Sequence, residues 1–278
     1  MNASVFAPTA TALTVAMAAT TAHTQYILHL ADNALVHGQR IAQWCSHGPV
    51  LEEDIAMANI GLDHIGQARM LYQYAASLLE DTTEDKLAYF RNPEQFLNYT
   101  MLELPHCTAF APSVHTEMDY AVTIARNFLY ASLMNLVWAQ LQNSAGGQLA
   151  AIAAKSVKEV RYHLRHSTGW MLRLGDGTAG SHARMQAALD HLMPYTQEWF
   201  RPSAMDIAAV ELNIGTDTAA LQTVWHTSVA TVINQATLHM PTSTGFITRG
   251  KQGLHSEHLS YLLSEMQSLA RAHPEATW

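Results

Sequence analysis

Two cysteines in 278 residues, Cys45 and Cys107, are too few for a disulfide framework, and no Cys-x-x-Cys pair offers a zinc knuckle. That scarcity fits a reducing cytoplasm. Positive charge is scarce too: 15 Lys and Arg against 23 Asp and Glu leave a formal net charge of −8, without the basic surplus that holds nucleic acid or an anionic membrane. Gly-x-Ser-x-Gly, Walker and Gly-x-Gly-x-x-Gly sequences are absent, and neither cysteine sits in a nucleophile signature, so nothing points to serine, cysteine or nucleotide chemistry. Alternating β-branched runs with Asn-Gly turns are missing, which leaves a sheet unsupported. The first 23 residues contain no Lys or Arg. The apolar stretch Ala10 to Ala19 therefore lacks the positive region of a signal peptide and is too short to span a bilayer. Residues 1–23 read as a disordered tail ahead of a single domain over 24–278.

What is present is helical spacing in a chain that is 49% apolar. Ile55, Ala58, Leu62, Ile65, Ala68, Tyr72 and Ala76 recur at three and four residues, one stripe on a long helix. A second stripe runs through Ala121, Ile124, Ala125, Phe128, Ala131 and Met134, entered by Thr116-x-x-Asp119, and reaches about Asn143. A third follows the Ala145-Gly146-Gly147 break, with Leu149, Ile152, Ala153, Ser156, Val160 and Leu164 on one face, and stops at Gly175-Asp176-Gly177. Thr24 to Ser46 supplies a fourth. Shorter helices are expected near Ser181 to Trp199, Thr216 to Leu238 and Leu254 to Ala272. The fold class is all-α, a four-helix core with additional C-terminal helices.

Such a bundle with 16 histidines invites a dimetal carboxylate site, built from a Glu on each of two helices and Glu-x-x-His on each of the others. The sequence fails that search. Only Glu103 has a histidine three residues on, His106, and Pro105 between them breaks the helical presentation; no aspartate has one. His163 and His166 are three apart on a helix, with no identifiable carboxylate companion on their face. His255-Ser256-Glu257-His258 has the same spacing but lies near the chain's end, after Gly250 and Gly253, where an exposed or partner-facing helix start is expected.

Several collinear segments resemble the C subunit of phenylacetyl-CoA epoxidases. They are Ala31-Asp32-Asn33 and Gln39-Arg40, Ala56 to Asp63 running into Gly66-Gln67-Ala68-Arg69, Lys158 to Arg165, Gly169-Trp170, and Gly250 to Leu259 with a closing Trp278. The resemblance covers Thr24 to Trp278 and implies a ferritin-like bundle inside a multicomponent monooxygenase. In that complex a sister subunit of the same fold holds the dimetal iron centre and the CoA thioester. A reductase with flavin and iron-sulfur groups brings electrons from NADPH, and one oxygen atom is set across the 1,2 bond of the aromatic ring. The C subunit scaffolds the catalytic one.

The resemblance also accounts for the failed search. Where the sister subunit has Asp-Glu-x-x-His, this chain has Asp63-His64-Ile65-Gly66-Gln67; in the other motif His163 remains but Val160 stands where a glutamate is required. Losing both carboxylates removes the hard oxygen donors and the negative charge that iron or manganese needs. His64, Gln67, Val160 and His163 thus read as a degenerate metal site, with no catalytic residue and no cofactor in this chain, and Gln39 as a further altered position. The three polar members are expected to form a buried hydrogen-bonded cluster that fixes helix register. Lys158 and Glu159 read as solvated charges. Lys251, His255 and His258 concentrate positive charge in an acidic chain and are candidates for an interface with the catalytic subunit, against packing of that terminal helix on its own bundle. Two other readings stay open: an independent helical dimetal oxygenase using His163 and His166, and a small-ligand-binding bundle.

Overall fold

The computed structural model describes residues 10–108, 118–242 and 247–276, with the backbone alone described over 10–20. Helices α1 (Ala10–Ala42) and α2 (Leu51–Ser77) form an antiparallel hairpin. A long crossing segment holds the short α3 (Glu84–Tyr89) and α4 (Thr100–Glu103) and leads to a second hairpin, α5 (Tyr120–Leu141) and α6 (Gly147–Gly175). The hairpins pack with α2 against α6, giving a four-helix core with one long crossover, the ferritin-like arrangement. Then come α7 (Ala179–Leu192), a 3-10 stretch at Met193–Glu198, α8 (Ala204–Glu211), α9 (Thr218–Gln235) and α10 (Glu257–Ala272). Among the described residues there is no β-strand, only a lone antiparallel bridge between Arg249 and Leu254.

Local chemistry sets the helix ends. Glu52, Glu53 and Asp54 fill the first turn of α2, where negative charge meets the exposed N–H groups. Asp119 caps α5 by accepting from the Ala121 N–H at 2.8 Å; Thr116, the other half of the expected box, lies outside the described residues. At the end of α6 a Cβ on Gly175 would fall 2.4 Å from the Ala236 carbonyl, so only glycine lets α6 and α9 meet there.

From Tyr26 onward α1 is buried on nearly every side and carries a row of polar residues that serve the irregular backbone of residues 91–106. Asp32 accepts from the Leu97 N–H at 2.8 Å and Asn33 from the Tyr99 N–H at 2.7 Å. Arg40 donates to the Glu103 carbonyl at 2.6 Å, and His106 Nε2 lies 2.7 Å from the Arg40 carbonyl. Buried backbone groups outside regular structure need such partners, which is why a core helix tolerates so much polarity. Arg91 closes the row with a buried ion pair to Asp32, joined by the Tyr72 hydroxyl at 2.5 Å.

Three features depart from the sequence reading. Helix α1 begins at Ala10, within the stretch read as a tail, and His23 already contacts the Tyr74 hydroxyl at 3.2 Å; Ala-rich sequence without Pro or Gly after Pro8 extends a helix readily. The α2 stripe is out of phase: Ile55 and Leu62 are 54% and 67% exposed, while the buried face is Met57, Ile60, Gly61, His64, Ala68 and Leu71. The last helix starts at Glu257, leaving Leu254 outside it and 59% exposed.

Asp32→Ala leaves the Arg91 guanidinium buried without its counter-charge. This variant should lose about 3–5 kcal/mol in denaturant unfolding. Adding Arg91→Met should recover part of that loss.

Candidate functional site

The centre of the bundle is where the four core helices turn their polar residues to one another. α1 contributes His37, α2 His64 and Gln67, α5 Asn127 and Tyr130, and α6 Val160 and His163, all buried. The rings of His37 and His64 are 4.8 Å apart, as are those of His64 and His163, and the His37 and Tyr130 rings are 5.0 Å apart. The structure thus brings the four degenerate positions together and adds His37 to them. Gln39 is half-buried; the histidine two residues before it takes the inner place.

Two acids lie one residue away from the positions a dimetal site would need. Asp63 precedes His64 and Glu159 precedes Val160, and a step of one residue turns a side chain about 100° round a helix. Both therefore sit at the α2/α6 rim. His163 Nε2 meets Asp63 Oδ2 at 3.0 Å, and Gln67 Nε2 donates to Glu159 Oε2 at 2.9 Å. Each helix gives one acid and one partner at i, i+4 spacing, a reciprocal pair across antiparallel helices. One helical turn further on, His166 Nε2 lies 2.8 Å from Glu53 Oε2, which also accepts from the Tyr120 hydroxyl at 2.6 Å. Both histidines of α6 have carboxylate partners after all, supplied by the other hairpin. Glu159 is correspondingly half-buried and engaged, not a freely solvated charge, whereas Lys158 is exposed.

The donor set does not fit two divalent ions. Imidazoles, an amide, a phenol and a valine face the centre; both nearby carboxylates point to the rim and are already committed. No negative charge is left to balance the metal. Among the described residues no group of three or more His, Cys, Asp or Glu is arranged to hold an ion. Burial lowers the His37 and His64 pKa values well below 6.5, reinforced for His37 by Arg126 and His163 and for His64 by His37 and His163. Burial alone raises the Tyr130 phenol. Among the described residues the Nδ1 atoms of His37, His64 and His163 have no hydrogen-bond partner.

The other candidates are separated from this cluster and turned inward. Glu103 ends α4, and Pro105 directs His106 elsewhere, to Arg40 and Thr123. The Glu103 carboxylate instead accepts from Asn98 at 2.9 Å and the Ser256 N–H at 2.6 Å, and meets His255 Nδ1 at 2.7 Å. Lys251 is buried and donates to Asp206 at 2.7 Å. A Cβ on Gly250 would fall 2.3 Å from the Asn98 carbonyl, so the close backbone approach there is internal. Lys251 and His255 are thus spent inside the chain, because their acidic partners are intramolecular. His258 is half-buried and lends its carbonyl to Arg40 at 3.0 Å.

A family model described as "Phenylacetic acid catabolic protein" matches residues 5–278. The chain is 44% identical over 255 residues to the C subunit of the 1,2-phenylacetyl-CoA epoxidase of Escherichia coli (strain K12), covering 92% of this chain and 98% of that protein.

A histidine whose folded pKa is depressed binds protons more readily when unfolded. Its contribution to stability is complete above the unfolded value and is lost as pH falls below it. His37, His64 and His106 are all depressed by burial, from 6.5. His255 opposes them: burial would lower it, but Glu103 outweighs burial and raises it. The melting temperature should therefore fall between about pH 7 and about pH 5, before most carboxylates titrate. His64→Gln should flatten that fall, measured by calorimetry across the range. His163→Ala should cost about 1–3 kcal/mol of stability through lost packing and the lost Asp63 hydrogen bond.

Proposed function

The chain belongs to the phenylacetic acid catabolic protein family, and on that premise we propose that it is the non-catalytic subunit of an epoxidase acting on phenylacetyl-CoA. The observation that carries this reading is the exchange at the bundle centre. Where two carboxylate-histidine pairs would hold metal, His64, Gln67, Val160 and His163 form an interhelical cluster, and the neighbouring acids lock α2 to α6. A bundle so built keeps the shape of a dimetal protein without its chemistry. Its role is to dock and support a sister subunit of the same fold that carries the iron centre and takes the CoA thioester. A reductase with flavin and iron-sulfur groups delivers electrons from NADPH to that sister. The chain works as one helical domain, and its scarcity of cysteine supports a cytoplasmic setting. Among the described residues no helix is long and apolar enough to cross a membrane.

Co-expression with the catalytic subunit tests the assignment. The two should copurify in fixed stoichiometry, and turnover of phenylacetyl-CoA with the reductase should require both. His64→Ala, placed in this chain alone, should leave turnover per assembled complex unchanged. An assembled complex that loses turnover with that variant would contradict the reading and make the cluster part of the chemistry.

A further inference from the structure

α2 carries an aliphatic seam whose outer members the described residues leave exposed. Leu51, Ile55, Ala58, Leu62 and Ile65 follow one another at alternating steps of four and three residues, the a/d spacing of a helix that packs along another helix; Ala58 and Ile65 are half-buried, Ile65 against Gly38 of α1, and the exposed members are Leu51, Ile55 and Leu62. Leu51, Ile55 and Leu62 are 71%, 54% and 67% exposed, and Val50, at the N-cap, is 52% exposed beside them. Single exposed aliphatics are ordinary, whereas three along one side of a helix with a fourth at its N-cap concentrate apolar surface there. The added helices leave this ridge bare: α4, α8 and α10 pack on α1, and α7 and α9 on α5 and α6. Among the described residues the only added helix packed on α2 is α3, where Glu84 meets Arg69 at 3.1 Å.

The neighbouring charge says what kind of chain covers it. Along the α6 ridge beside α2, Lys155, Lys158 and Arg165 are exposed together with Tyr162, in a chain whose net charge is −8; Glu159 meets Lys155 at 3.8 Å and leaves Lys158 and Arg165 as the charges facing outward. Lys155 Nζ lies 4.0 Å from Met70 Sδ on α2, which sets this cationic ridge against that helix. An antiparallel pairing with a second copy would lay Leu51 on Leu62, yet it would bring the two cationic ridges to the same side of the contact. A different chain avoids that repulsion.

We propose that the α2 seam is the docking face for a helix of the catalytic sister subunit, one with an aliphatic a/d seam of its own and carboxylates along the side that meets Lys155, Lys158 and Arg165. This rests on the reading of the chain as a supporting subunit and assigns that role to a surface. It replaces the segment around Lys251 and His255, whose charges are satisfied internally.

Purified full-length chain, wild type or carrying Ile55→Gln with Leu62→Gln, is titrated against the purified catalytic subunit at two salt concentrations. Val224→Gln on α9, at a side chain 56% exposed, is the control. Glutamine suits an exposed helix, so melting temperatures should match wild type. The double variant should bind at least about 30-fold more weakly, the loss expected when central interface anchors are removed, and the control should bind normally. Lys158→Glu with Arg165→Glu should weaken association most at low salt. Undiminished binding by the seam variant, with wild type also binding, would overturn this face and leave the supporting role standing. Failure of wild type to bind the catalytic subunit would overturn both. Concentration-dependent dimerisation of wild type that the seam variant abolishes, or a lowered melting temperature of that variant, would assign the seam to a second copy or to this chain's own packing and likewise overturn the proposal.

Discussion

The two bonds that join α2 to α6 at the rim, Asp63 with His163 and Gln67 with Glu159, are the constraint on which the rest of the bundle centre depends. Their spacing favours the observed antiparallel register, because a slip by one turn would set Asp63 against Glu159 in one direction or Gln67 against His163 in the other and break both bonds. That register sets His64 against His163 and, through α1, against His37, and it lets Val160 fill the space beside them. A metal-bearing bundle draws the same helices together through ions. Here a pair of side-chain contacts takes that place, each contributing about 1 kcal/mol, with apolar burial supplying the remainder.

Polarity in the interior is otherwise devoted to irregular chain. The α1 row satisfies the backbone between Arg91 and His106, and Glu198 does the same at the C-terminal side, accepting from the N–H groups of Thr100 and Lys251 and from the Thr248 hydroxyl. The Asp206 carboxyl would be raised by burial; Lys251 and His29 outweigh this and hold it below its usual value. These contacts bind the C-terminal additions to the crossing segment. Among the described residues the additions cover α1, α5 and α6, and on α2 only α3 packs.

The long helices were legible because apolar spacing and Gly or Asp punctuation persist over many turns. The short α3, α4 and α8 were not, since four to eight residues carry too little periodicity to stand out. The α2 stripe shows a different limit: spacing reports that a face is apolar, not which molecule buries it. The absence of an uninterrupted Glu-x-x-His pair is plain in the sequence, and His64 and His163, expected to be buried, are so. The carboxylates that serve His163 and His166 could not, because Asp63 and Glu53 lie about a hundred residues away in sequence and meet them only through the α2/α6 register. His37 did carry a signal: with His29, Asn33 and Arg40 it forms a polar row at helical spacing in an apolar helix.

Under the proposed function, side chains hold this centre in place of ions. Anaerobic titration of the isolated chain with ferrous iron, followed by metal analysis after desalting and by Mössbauer spectroscopy, tests it most directly. The account predicts no stoichiometric retention and no coupled two-iron signal. Two tightly held ions per chain with the spectrum of a coupled pair would contradict it and make the chain an oxygenase in its own right.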